Sequence, residues 1–189
     1  MRKIVAAMNI TLDGICDHTA VSPDGEIHQH YAELMESGDT ALYGRITYQL
    51  MQYWKTIVDN PTGEKDTDDF AISMDRIQKV VFSNTLQNAD WETARIAQRG
   101  LKEEVLYLKQ QPGKDILVGS RSLIIALINL RLIDEFQLMI HPVIAGKGML
   151  LFDKINDRTH WKLLNTKTFG SGAILLNYGL LTGEENPVI

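Results

Sequence analysis

Three short segments set a glycine or a turn beside hydroxyl and cationic side chains at points where an apolar run ends. They are Tyr43-Gly44-Arg45-Ile46-Thr47-Tyr48, Val118-Gly119-Ser120-Arg121-Ser122 and Phe82-Ser83-Asn84-Thr85. Such segments suit the binding of an anion. A glycine lets backbone approach a ligand, a helix start offers free N–H groups and a positive dipole end, and a guanidinium fork matches phosphate oxygens. In the first segment Gly44 supplies the approach, Thr47 a hydroxyl and Arg45 the fork. In the second, Gly119 removes the side chain that would block a pyrophosphate, while Ser120, Arg121 and Ser122 open a strongly apolar helix. In the third, Ser83 stands at a strand end within reach of a ribose phosphate. Each also has a plain alternative: a glycine turn with a surface arginine, a serine that caps its helix, and a simple turn. The spacing is not the G-x-G-x-x-G dinucleotide fingerprint.

Other reactive side chains carry weaker arguments. Asp13 sits in Leu12-Asp13-Gly14, where a carboxylate orients a ring, helps a proton reach it, or forms the turn. His28 and His30 lie two apart on a predicted helix, so their rings diverge and read as surface histidines, not as a shared metal site. Cys16 has no His and acid partner that the sequence places beside it and reads as a free thiol. Tyr48 and Trp54 wall a pocket or fill a core. Gly146-Lys147-Gly148 reads as a turn.

These segments need a scaffold. Ile4 to Met8 reads as a strand buried on both faces, followed by a turn-rich loop through Ser22-Pro23-Asp24-Gly25. Ile27, Tyr31, Leu34 and Met35 mark a helix face that stops at Ser37-Gly38. Thr40 to Tyr43 is a second strand, and Ile46, Leu50, Met51 and Trp54 mark the helix after it. Lys55 to Asp69 is polar with Asn60-Pro61-Thr62-Gly63 turn chemistry, which predicts a mobile surface excursion. Lys79 to Ser83 is a strand, Leu101 to Leu108 a helix closed by Pro112-Gly113, Asp115 to Val118 a strand, Leu123 to Leu132 a buried helix, and Phe136 to Ile140 a strand stopped by Pro142. Trp161 to Phe169 and Ala173 to Leu181 are joined by only Gly170-Ser171-Gly172, which predicts an antiparallel pair. The resulting fold class is α/β: a mainly parallel central sheet flanked by helices, with an antiparallel C-terminal hairpin, in a single domain over residues 1–189.

Composition narrows the partners. A formal net charge of −5 opposes the clustered basic surface that nucleic-acid binding requires, and one cysteine fits a reducing, cytoplasmic setting. The apolar start, Ile4 to Met8, is broken by Asn9 and Asp13 before a leader peptide develops, so no membrane association is expected.

The ordered set of markers resembles the dihydrofolate reductase superfamily, and within it stand-alone relatives of the RibD C-terminal domain, the reductase domain of bifunctional riboflavin-biosynthesis proteins. The markers are Asn9-Ile10-Thr11-Leu12-Asp13-Gly14, Gly44-Arg45-Ile46-Thr47-Tyr48, Ile116-Leu117-Val118-Gly119-Ser120, and Leu132-Ile133-Asp134-Glu135 leading to His141-Pro142-Val143-Ile144-Ala145-Gly146-Lys147-Gly148. The resemblance implies NADPH across the strand ends, with Arg45 and Thr47 at its phosphates, Ser83 at the adenosine end, and Gly119 to Ser122 under the pyrophosphate. It implies hydride transfer to a pyrimidine-like or pterin-like ring, including a 5-amino-6-(5-phosphoribosylamino)uracil reductase-like activity, with Asp13 as a catalytic candidate and no metal. It also implies that the loop from Leu12 to Gly25 is a mobile lid and that the protein is a homodimer. The acidic residue of dihydrofolate reductases on the first helix has no secure counterpart among Glu26, Ile27 and His28. Two other functions remain open: a non-catalytic nucleotide-binding dimeric module, and a general reductase of xenobiotics.

Overall fold

The computed structural model describes residues 1–181; residues 182–189, the end of the expected domain, lie outside the described residues. Eight strands form one sheet. In chain order the elements are β1 (Ile4–Thr11), α1 (Gly25–Ser37), β2 (Gly38–Gly44), α2 (Arg45–Met51), α3 (Tyr53–Asp59), α4 (Lys65–Arg76), β3 (Gln78–Phe82), β4 (Ala94–Ile96), α5 (Leu101–Gln110), β5 (Asp115–Val118), α6 (Arg121–Asn129), β6 (Glu135–His141), β7 (Trp161–Thr168) and β8 (Ile174–Leu180). The sheet order is β4-β3-β2-β5-β1-β6-β8-β7. Its first six strands are parallel, and the C-terminal hairpin joins β6 antiparallel.

The alternation of side chains along each central strand divides the core in two. From β1, Ile4, Ala6 and Ile10 face α5 and α6, where they pack with Val105, Leu123, Ile124 and Leu127. Val5 and Ala7 face the opposite way, towards Ala32 and Leu34 of α1 and Phe70 and Met74 of α4. Burial on both faces explains why these strands read as nearly continuous apolar runs. β7, at the sheet edge, is exposed along almost its whole length.

The segment expected as a mobile excursion, Lys55 to Asp69, is instead mostly helical. It holds the end of α3 and the start of α4. Acidic residues dominate the first turn of α4 and Arg76 closes its last, an arrangement that suits the helix dipole. Asp68 accepts the N–H groups of Thr62 (2.8 Å) and Gly63 (3.0 Å), which fixes the turn ahead of the helix. The helix beginning at Arg45 is divided at Gln52, and β4 is a three-residue strand anchored by the buried Trp91.

At the amino ends of the strands, charges are paired across the sheet. Arg2 donates to Asp39, to Thr40 Oγ1 (2.9 Å) and to the Lys114 carbonyl (2.5 Å). Asp39 also accepts the Lys114 N–H (2.7 Å). Asp134 accepts the Ile4 N–H (2.7 Å) and Lys109 Nζ (2.6 Å). Lys79, 1% exposed, donates to the Asp75 and Ile77 carbonyls and to Thr93 Oγ1 at 3.1, 2.8 and 2.7 Å, with its ammonium 4.0 Å from the Trp91 ring centroid. Burial pulls the Lys79 ammonium down to about 8.

Candidate functional site

The chain leaves β1 and β5 in opposite directions. The connection through α1 covers one face of the sheet and carries the chain past β5 to β2; the connection through α6 covers the other face and carries it past β1 to β6. Adjacent strands whose exits diverge in this way leave a crevice at their carboxyl ends, where α/β proteins place ligands. The crevice is deepened by unequal pairing. β1 pairs with β5 only from Ile4 to Ala6, but with β6 up to Thr11, so the stretch of β1 beyond Ala6 has no β5 partner. Gly119 lies at this step. A Cβ there would stand 3.9 Å from the Tyr43 ring and 4.0 Å from the Ala7 carbonyl oxygen, so its hydrogen leaves open a space that a side chain would fill.

The three segments singled out in the sequence follow β3, β2 and β5, which are neighbours in the sheet, so they form one continuous rim. Ser120 joins two of them. Its buried Oγ accepts the Gly44 N–H (3.1 Å) and lies 2.9 Å from Thr47 Oγ1. A Cβ at Gly44 would come within 3.1 Å of that oxygen and 3.3 Å of Ser122 Oγ, so the glycine is what lets the two turns touch. Because Ser120 is used in this way, no side chain caps α6, and the first N–H groups of that helix are left for another acceptor. Arg45 is exposed and donates to Gln49 of its own helix (3.1 Å). Ser122 is exposed beside it. Ser83 Oγ accepts the N–H groups of Thr85 (3.1 Å) and Leu86 (2.9 Å), forming its own turn. Arg121 points away from the rim segments, donating to the Leu150 carbonyl (2.7 Å) and pairing with Asp153.

Asp13 is a clamp between two loops. Its carboxylate accepts the Thr11 hydroxyl and the N–H groups of Ala145 (3.1 Å) and Gly146 (2.7 Å), and these donors hold it down at about 2. Asp17 repeats the device by accepting the Met149 N–H (2.6 Å). Backbone bonds Leu12 N–H to Val143 O (2.7 Å), Cys16 N–H to Met149 O (2.9 Å) and Leu151 N–H to Gly14 O (3.0 Å) complete the strap. The loop from Leu12 to Gly25 was expected to be mobile along its length. Its first half, through Asp17, is instead fastened to residues 143–151, because backbone donors from a segment more than 130 residues away meet its two aspartates.

The wall across from Gly119 is built from β1, β6 and α1. Asn9 Oδ1 accepts the Tyr31 hydroxyl (3.2 Å) and lies 2.9 Å from Nε2 of the buried His141. This trio was not singled out in the sequence. The one available signal was a polar Asn9 inside an apolar strand.

Comparison with known proteins follows from this geometry. The RibD C-terminal domain family is matched over residues 2–175. The chain belongs to that family. It is similar to the uncharacterized protein YyaP of Bacillus subtilis, with 36% identity over 185 residues that cover 94% of each chain. Among solved structures it resembles a candidate riboflavin biosynthesis protein of Shewanella sp. PV-4, with a TM-score of 0.73, 17% identity and 95% and 99% of the two chains covered. It also resembles a pyrimidine reductase-like protein of Corynebacterium diphtheriae, with a TM-score of 0.66, 14% identity and 96% and 93% coverage. At these identities the two structures speak for the fold, an α/β sheet with an antiparallel C-terminal hairpin.

Within this RibD-type domain, His28 and His30 are half-buried, not surface residues. His28 stacks on Phe70 and meets the edge of Trp54, each with ring centroids 5.5 Å apart, while His30 reaches Gln137 Oε1 (3.1 Å). Burial lowers both imidazoles, and His141 likewise, which keeps all three uncharged near neutral pH. Two cavities lie away from the carboxyl ends of the strands. One of about 680 Å³ runs between α1 and α4 beside Glu33, Asp69 and Arg76, and one of about 220 Å³ lies beside Lys79 and Arg95. Neither is bordered by Gly119, Gly44 or Asn9. We place the site at the crevice because open backbone and convergent polar groups meet there. Among the described residues, no group of three or more His, Cys, Asp or Glu side chains is arranged to hold a metal ion, and no helix is long and apolar enough to cross a membrane.

Proposed function

We propose that the chain is an NADPH-dependent reductase that delivers hydride to a small planar heterocycle of the pyrimidine or pterin type. The observation that carries the reading is the step between β5 and β1, where Gly119 leaves space against the Ala7 carbonyl beside an uncapped helix start. These residues fit a dinucleotide. The N–H groups opening α6 would accept the pyrophosphate, with Ser122 and the Gly44–Thr47 turn beside it, and Ser83 would border the adenosine end. Arg45, exposed and bonded only to a neutral glutamine, would take the 2′-phosphate. When bound, NADPH supplies the hydride. Family membership in a riboflavin-pathway reductase-like group supports this chemistry.

The protein's own part is to orient and to exclude water. The unpaired edge of β1 beyond Ala6 offers backbone groups to an amide-bearing ring. Asn9, held by Tyr31 and His141, presents a fixed amide to the substrate side. Asp13 carries no proton at neutral pH, so it acts by holding the Ala145–Gly146 turn and not as a proton donor. The stretch 18–23, beyond the strap, is the part of the loop left to act as a cover.

We assign a homodimer to the same unit. Val143, Ile144, Met149 and Phe152 expose apolar surface on one loop, as do Leu163 and Leu164 on the edge strand β7, and a second copy would cover them. Light scattering should give twice the 21.3 kDa chain mass; a chain mass unchanged on tenfold concentration would remove the dimer. For the cofactor, Arg45→Ala should weaken NADPH binding roughly ten- to hundredfold in calorimetry and leave NADH much less affected. Wild-type-like NADPH affinity in that variant would detach Arg45 from the cofactor. Failure of the unmodified protein to bind either nucleotide would leave a fold without the reductase function.

A further inference from the structure

We propose that Asn9 selects the substrate as a hydrogen-bond donor, so that the ring this site accepts turns a carbonyl oxygen towards it and a ring with an amino group in that place is rejected. The inference rests on the reductase reading above and names the edge of the heterocycle that the site reads. Asn9 is half-buried and stands three residues beyond Ala6, on the stretch of β1 that lacks a β5 neighbour. An asparagine amide has a donor side and an acceptor side, and the side that faces a ligand decides what it recognises.

Two neighbours fix the orientation. Asn9 Oδ1 accepts the Tyr31 hydroxyl at 3.2 Å and lies 2.9 Å from His141 Nε2. Burial pushes the Tyr31 hydroxyl well above its ordinary range, so it keeps its proton, and that proton needs an acceptor. Tyr31 packs against the buried side chains of Ile27, Met139 and Phe169, none of which can take it. Among the described residues, Asn9 Oδ1 is the acceptor within reach. Turning the amide over would suit His141, whose neutral ring can accept as well as donate, but would strand the phenol proton. Tyr31 therefore decides the matter, and His141 adds its Nε2–H to the second lone pair. Nδ2 is left over. It meets no acceptor among the described residues and is not closed off from solvent, so its N–H groups are open to a ligand in the crevice. The next side chain on the strand with a hydroxyl, Thr11, is already committed: it donates to Asp13 and accepts the Ile15 N–H (3.0 Å). A carbonyl oxygen set against Asn9 gains a hydrogen bond in place of the water it loses, whereas an amino group sets donor against donor in a half-buried site. Tyr31 and His141 act through Asn9 as positioning residues.

The test uses the full chain with NADP⁺ present, so that binding is read without turnover. Calorimetry compares 5,6-diaminouracil, which has two ring carbonyls, with the two analogues in which one or the other carbonyl is replaced by an amino group. The unmodified protein should bind one of these analogues at least about tenfold more weakly than the parent. In Asn9→Asp, whose carboxylate accepts the same two bonds but has no N–H, the order should reverse, with that analogue binding more tightly than the parent. In Tyr31→Phe, which frees the amide to turn, the preference should shrink to less than about threefold while the parent still binds; lost packing alone would weaken both compounds alike. Two analogues that bind the unmodified protein as tightly as the parent overturn the inference and leave the reductase reading standing, as does an Asn9→Asp protein that keeps the original order. If NADP⁺ binds but none of the three compounds does, the pyrimidine reading and this inference fall together.

Discussion

The two ends of the sheet treat charge in opposite ways. At the amino ends, Arg2, Lys3, Lys79, Asp39, Asp115, Asp134 and Glu135 are all engaged with partners on neighbouring strands or helices. At the carboxyl ends, Arg45 and Ser122 face solvent, α6 starts without a side-chain cap, and β1 continues past its partner. The strands are the same, so the contrast cannot come from the sheet itself. It comes from what the connections do: those entering the strands set charged partners against one another, whereas those leaving β1 and β5 diverge. On the proposed reading, the paired charges hold one rim together and the cofactor binds at the other. Substitutions at the two rims should therefore separate these properties.

The largest effect is expected from Arg2→Met, which strips Asp39 of its buried partner. It should cost about 3–4 kcal/mol of unfolding free energy in urea melts and leave NADPH affinity of the folded protein unchanged. A comparable loss of cofactor affinity would mean that the two rims are coupled. Next is Lys79. Its folded value lies near 8, below the ordinary lysine value of 10.5, so the unfolded chain binds more protons between these limits. Stability from this group is therefore gained as pH rises from about 8 to 10.5 and lost as pH falls back through 8. The span amounts to roughly 3 kcal/mol. In Lys79→Met that rise should disappear from denaturation curves taken across the window; a variant that follows the wild-type pH dependence would show that the buried ammonium is not its source. The smallest of the three concerns Gly119→Val at the open rim. It should lower NADPH affinity about a hundredfold, some 2.7 kcal/mol, while the melting temperature stays within a few degrees. Unfolding of that variant would place Gly119 with the packing residues instead.

The open rim was largely legible in the sequence and the tied rim was not. Gly44, Thr47, Gly119 and Ser120 lie in short segments at the ends of apolar runs, so local pattern alone brought them forward. The hairpin after Gly170-Ser171-Gly172 followed from the same runs and turns, whereas the strand order that sets β5 and β6 beside β1 did not, since parallel neighbours are joined only through long crossovers. By contrast, Arg2 meets Lys114 across 112 positions, and Lys3 meets Glu135 across 132, and no local pattern joins such partners. The same separation hid the strap, since the donors to Asp13 and Asp17 come from 145–149. α4 was missed for another reason: Phe70, Ala71 and Met74 form its buried stripe, but the surrounding aspartates and lysine made the segment read as a loop. His28 was read from its spacing to His30, which says nothing of Trp54 and Phe70 closing over it.

The early stop of β5 gives the crevice an origin independent of its chemistry. From Ala7 to Thr11, β1 runs on for five residues beside an absent neighbour. At strand rise, this is a slot roughly 16 Å long. Its length is a matter of counting: two residues added to β5 would shorten it by about two-fifths without altering any residue that lines it. A family built on this plan can adjust the reach of its pocket by insertion and deletion as well as by substitution. Two members with identical contact residues could then differ in what they admit.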